Sequence, residues 1–144
     1  MPLPNNLNPA KGNYFEKVAA FVLQKHFDVV FQTKYQIEIG YPPKAHRFDL
    51  ASHDLKYIGE CKNYSWTEGG NIPSAKIGFI NEAVFYLQHI KHDTNRFVVL
   101  RKDVHQRRGE TIAEHYFRIN QHLLNGIFVI EIDDITGEVR EFRV

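Results

Sequence analysis

A chain of 144 residues is the size of one domain, and 43% hydrophobic content with 11 Phe, 7 Tyr and 1 Trp suffices for a core, which excludes a disordered or collagen-like chain. The longest uninterrupted apolar run, residues 18–23, falls far short of the roughly 20 residues of a membrane-spanning helix. One cysteine, Cys61, cannot close an internal disulfide, the start of the chain lacks signal-peptide character, and 18 Lys+Arg balance 17 Asp+Glu. The expectation is a cytoplasmic protein whose partner is not announced by net charge.

Residues 1–12 are rich in proline and asparagine without apolar periodicity, which predicts a flexible N-terminal arm ahead of a single domain over 13–144. Asn13 is expected to cap a helix running to about Phe27, with Phe15, Val18, Ala19 and Val22 at core spacing. Three strands are expected at 35–39, 47–51 and 55–62, joined by connections short enough for hairpins. Residues 63–72 read as a loop, and Pro73 opens a helix that carries Ile77, Ile80, Val84 and Leu87 on one face and ends near Ile90. The apolar run 97–100 predicts a buried strand, and Ile112, Tyr116, Ile119 and Leu123 mark a helix stopped by Asn125-Gly126. Residues 127–132 form a further central strand, and a turn at 133–137 leads to an edge strand with Val139, Phe142 and Val144. Hairpins first and βαβ units later predict an α/β fold, a mixed central sheet flanked by helices on both faces.

The chemistry lies in two short segments, Arg47-Phe48-Asp49-Leu50 and Gly59-Glu60-Cys61-Lys62. Strand alternation places Glu60 and Lys62 on one face. A turn centred between Asp54 and Leu55 sets Asp49 opposite Glu60, so two carboxylates and a lysine converge. Asp54-Leu55-Lys56 repeats the acid-x-Lys pattern but lacks an acid at the same distance upstream. Two adjacent carboxylates repel unless a cation lies between them, and hard oxygen ligands suit Mg²⁺, with Mn²⁺ as a substitute. The matching reaction is phosphodiester hydrolysis, in which a metal polarises a phosphoryl oxygen and a lysine assists the water. Glu16 falls inside the apolar arc of the first helix, where a carboxylate is costly without a partner, and is read as a third acid of the site.

These residues resemble the PD-(D/E)XK motif of the restriction-endonuclease-like nucleases, whose αβββαβ core would cover about residues 13–100. The resemblance makes Asp49 the motif's aspartate, Glu60 its second acid, Lys62 its lysine and Glu16 the first-helix glutamate, with Cys61 contributing a backbone carbonyl to the metal. Gly12-Asn13-Tyr14-Phe15-Glu16 is similar to the Gly-x-x-Phe-Glu start of Mrr-type enzymes, and Lys11-Gly12 through Glu16 to the opening of archaeal Holliday junction resolvases. Phe48 stands where the motif has proline, and Glu60 where the Mrr type often has glutamine.

DNA is therefore the expected partner, with Lys76, Arg101, Lys102, Arg107 and Arg108 as candidate phosphate contacts. Trp66 beside Gly69-Gly70 reads as packing rather than a base-stacking platform, and the histidines, His46 included, lack zinc-ligand spacing. So small a chain leaves little room for a recognition domain, which makes a homodimer or a partner protein the expected source of specificity. The alternatives are a catalytically silent nuclease-fold module for DNA binding or assembly, and a dimeric junction resolvase.

Overall fold

Continuous apolar runs become the middle of the sheet. In the computed structural model, which describes residues 14–72 and 74–144, the order is α1 (Tyr14–Phe27), β1 (Phe31–Ile39), β2 (Lys44–Ser52), β3 (Tyr57–Lys62), α2 (Ser74–Gln88), β4 (Asn95–Arg101), α3 (Ile112–Asn120), β5 (Phe128–Ile132) and β6 (Val139–Phe142). The expected arm over 1–12, the Asn13 cap and Pro73 lie outside the described residues. Six strands form one sheet in the order β1-β2-β3-β4-β5-β6. β3, β4 and β5 run parallel, whereas β1-β2, β2-β3 and β5-β6 are antiparallel.

Alternation along β4 divides the core in two. Phe97 and Val99 pack with Phe15, Val18, Val22 and Leu23 of α1, while Val98 and Leu100 pack with Ile80, Val84 and Leu87 of α2 and with Ile112 and Tyr116 of α3. Helices thus cover both faces, and the αβββαβ order runs from α1 to β4 as expected. Gly59 has to be glycine, because a β-carbon there would lie 2.2 Å from Cε2 of Phe97, a ring fixed in the core.

The hairpin half departs from the expected boundaries. β1 begins at Phe31, which turns its ring edge-on to Phe97 at 6.3 Å, and Thr33-Lys34 interrupts the apolar alternation that would have revealed the full strand. β3 begins at Tyr57 because Asp54 and Leu55 make the turn: Oδ1 of Asp54 accepts from Oγ of Ser52 at 2.7 Å and from the Lys56 N–H at 3.1 Å.

α3 opens with a capping box not read from the sequence, in which Thr111 Oγ1 accepts from the Glu114 N–H at 3.1 Å and Glu114 Oε1 accepts from the Thr111 N–H at 2.7 Å. The helix tightens into a 3-10 turn over Gln121–Leu123, rotating the expected stripe off register. Leu123 is consequently exposed, Ile119 is exposed within α3 itself, and Ile112 and Tyr116 are buried. β6 ends at Phe142, and Val144 beyond it is exposed.

Candidate active site

The turn at Asp54-Leu55 determines the register on which the site depends. Leu50 pairs with Gly59 and Ala51 with Ile58, and the same register extended by one residue sets Asp49 opposite Glu60. At that point the carboxylate of Asp49 takes over from the strand, its Oδ2 accepting a hydrogen bond from the Cys61 N–H at 2.8 Å. Alternation also breaks here, since Phe48 and Ala51 belong to the α2 side of the core and Leu50, between them, to the α1 side. Asp49 is thereby close enough to Glu16 of α1 and to Glu60 of β3 for its charge to act on both.

The electrostatics are those of crowded carboxylates. Glu60 is 7% exposed, and burial first, then the charge of Asp49, pushes its carboxyl up to about 9 against the opposing pull of Lys62. Glu16 is pushed up to about 7 by burial and then by Asp49, with Lys34 and Lys62 pulling the other way. Oε2 of Glu16 and Oε1 of Glu60 are buried without a hydrogen-bond partner. Burial and the acids Asp49, Glu16 and Glu60 push the Cys61 thiol well up, so it is inert as a nucleophile.

His46 approaches from β2. Its Nε2 lies 3.4 Å from Oε1 of Glu60, and its ring stacks on Tyr86 of α2 with centroids 4.2 Å apart. Burial pulls the imidazole down, offset by Asp49 and Glu82. Lys34 was not singled out by the sequence reading, yet its charge reaches Glu16. The polar Thr33-Lys34 break in β1 was the available signal.

The basic candidates divide by what they hold. The guanidinium of Arg101 donates to Asn63 Oδ1, to Ser65 Oγ and to the carbonyls of Tyr64 and Lys102, and so positions the loop after β3. Arg108 donates to the Gly70 carbonyl at 3.0 Å and lies 4.5 Å over the Trp66 ring. Trp66 is buried and donates from Nε1 to the Asp103 carbonyl at 2.9 Å, in keeping with packing. Lys76 lies 5.0 Å over Tyr64 and 5.8 Å over Phe79. Lys102 is half-buried and Arg107 exposed.

The donors gathered here are carboxylates, the ligand chemistry that suits a hard divalent cation. The unpartnered buried oxygens of Glu16 and Glu60, and the upward push on both acids by burial first and then by Asp49, are what a cation there would relieve; an unpartnered oxygen alone does not mark such a site, since Oε1 of Glu131 in β5 is another. Among the described residues no group of three or more His, Cys, Asp or Glu side chains is arranged to hold a metal ion. Mg²⁺ does not require three, because it is held by one or two carboxylates and keeps water and phosphate for the rest.

The chain matches no protein-family model, and no curated protein matches its sequence. Among solved structures it is similar to a chain of the CdiA-CT/CdiI toxin and immunity complex from Burkholderia pseudomallei. That likeness has 13% identity and a TM-score of 0.53, covering 100% of this chain and 98% of the other. Pyrococcus furiosus SfsA in complex with Ca²⁺ is similar at 14% identity and a TM-score of 0.40, over 90% of this chain and 60% of that one. At such identities the likeness to the toxin-complex chain is one of fold. Among the described residues no helix is long and apolar enough to cross a membrane.

Proposed function

We propose that the protein is a cytoplasmic Mg²⁺-dependent endonuclease that hydrolyses phosphodiester bonds in DNA. The observation that carries this reading is the convergence of Glu16, Asp49 and Glu60, with two buried oxygens lacking partners, beside Lys62. Asp49 and Glu60 would hold the ion together with the backbone carbonyl of Cys61, and Mn²⁺ would substitute. Bound there, the cation supplies a Lewis acid for a phosphoryl oxygen and a more acidic water.

The chain's own residues supply the remainder. Asp49, anchored at Oδ2 by the Cys61 N–H, keeps its position while the substrate enters. Lys62 orients the attacking water and offsets the charge that develops on the phosphate. Glu16, beside Asp49, would accept a proton from that water as its oxygen bonds to phosphorus, while the bond to the leaving oxygen breaks and that oxygen takes a proton from solvent. His46, stacked on Tyr86, restrains Glu60. Lys76, Lys102 and Arg107 are the proposed phosphate contacts, whereas Arg101 and Arg108 act by holding the loops that frame the site.

Sequence selectivity would come from a second copy or a partner protein. A chain of similar fold occurs in a toxin and immunity complex, which favours the protein partner. The test is cleavage of supercoiled plasmid, single-stranded DNA and a four-way junction in Mg²⁺, Mn²⁺ or EDTA by the wild type, Asp49→Ala and Lys62→Ala. Metal-dependent cutting lost about 100-fold or more in both variants is the expected result. Preference for the junction would assign a dimeric resolvase. Binding without cutting in any metal would replace the enzyme with a silent DNA-binding module.

A further inference from the structure

Four non-glycine residues among those described have a left-handed backbone. Asp28 follows α1, Leu55 makes the β2-β3 turn, and Asn125 precedes Gly126 after the 3-10 turn. The fourth, Lys34 at φ 54, lies inside β1 with pairing on both sides, Thr33 with Leu50 and Tyr35 with Phe48. The register therefore places it across from Asp49. The core changes side at this position, since Phe31 packs with the α1 cluster and Tyr35 and Ile37 with the α2 cluster, matching the switch at Asp49 on the neighbouring strand.

The kink has an evident use, because the two strands turn over together where Asp49 must leave the ladder. Glycine would serve that purpose without steric cost, whereas a residue with a β-carbon is disfavoured there. A lysine at a position that favours glycine therefore calls for a use of its ammonium. Lys34 is exposed, its charge acts on Glu16, and among the described residues it makes no hydrogen bond or ion pair. The strand order sets Asp49 on β2 between Lys34 on β1 and Lys62 on β3. The carboxylate of Asp49, joined by Glu16 and Glu60 as they ionise, repels a polyanion, and a cation on each flank would offset that repulsion.

We propose that Lys34 is a substrate-binding residue whose ammonium contacts a non-bridging oxygen of the phosphodiester next to the one that is cut, on the β1 side of the carboxylate cluster. The proposal rests on the nuclease reading above, and its test separates the two. Lys34→Gly keeps the kink, and Lys34→Asn, the next residue to tolerate it, guards against a folding defect. Each variant is compared with wild type in unfolding temperature, in Mg²⁺-dependent cleavage, and in binding of a short fluorescein-labelled DNA duplex in EDTA across a KCl series.

The expected result is an unfolding temperature equal to or above wild type, kcat/KM lower by about tenfold through KM, and a log Kd against log[KCl] slope shallower by about 1, the share of one phosphate contact. Lys34→Arg should restore the slope. If both variants cut as wild type does with an unchanged slope, Lys34 has no such role and the nuclease reading stands. If the wild type binds DNA but does not cut it, the nuclease reading falls and with it the place assigned to Lys34 beside a cut phosphodiester, whatever the slope. Wild-type protein that neither cuts nor binds DNA overturns both.

Discussion

Two glutamates are buried in the central strands, and the molecule treats them differently. Glu131 of β5, 2% exposed, lies opposite Arg140 of β6, whose Nε donates to its Oε2 at 2.7 Å and whose guanidinium also reaches Glu114 of the α3 capping box, while the Oε1 of Glu131 is buried without a hydrogen-bond partner. Glu60 of β3, 7% exposed, faces Asp49, and Lys62 fails to keep its carboxyl in the ordinary range. Where a buried acid only ties elements together, the fold supplies an arginine in register. At Glu60 the fold supplies a second acid instead, the arrangement on which the proposed metal chemistry rests.

The sharpest way to break this contrast is to neutralise each acid in turn. Glu60→Gln should lower metal-dependent DNA cleavage about 100-fold or more, whereas Glu131→Gln should leave it within a few fold of wild type, measured as initial plasmid-nicking rates. If the two lose activity equally, the division of roles is wrong.

Next in size, Arg140→Ala strands the buried charge of Glu131 and should destabilise the protein by about 1–3 kcal/mol in denaturant unfolding, with cleavage retained at permissive temperature. The opposite sign is expected at the other acid. Glu60 has a folded pKa of about 9 against an ordinary value of 4.5, so the folded state binds more protons than the unfolded state between those values. Stability of the metal-free protein should be greatest below about pH 4.5, as far as Glu60 is concerned, and fall as pH rises towards 9. Glu60→Gln should flatten that dependence and stabilise the metal-free protein at pH 8 by about 1–3 kcal/mol. A thermal-unfolding series from pH 5 to pH 9 would read both effects, and an unchanged slope in the variant would remove Glu60 as their source. The smallest effect is expected from Thr111→Ala, about 1 kcal/mol through the lost cap and a looser Glu114-Arg140 contact, with no change in cleavage.

Much of this was legible in the residues. The runs 97–100 and 127–132 announce buried strands because parallel strands covered on both faces have no polar side to interrupt them. The meeting of Asp49 and Glu60 follows from one local fact, the turn at Asp54-Leu55, since register propagates along a hairpin. The kink at Lys34 left only a faint mark, the polar Thr33-Lys34 pair, because no glycine stands there and Tyr35 after it opens an ordinary apolar alternation. Nor could composition separate Arg101 and Arg108, spent on loop carbonyls and side chains, from Arg107, which is exposed. Leu123 misled for a geometric reason, as a 3-10 turn advances side chains at a different angle from an α-helix, whereas Ile119 is exposed within α3 itself.

The loops that follow β3 and β4 are sewn to each other. The Trp66 N–H donates to Asp103, a His105 ring nitrogen meets the Glu68 carbonyl at 2.8 Å, and Arg108 reaches the Gly70 carbonyl. Segments far apart in the chain are therefore held together as one unit beyond the ends of β3 and β4. A substitution in one loop is constrained by its counterpart in the other, and transplanting a new specificity into this scaffold means exchanging residues 63–72 and 102–110 together.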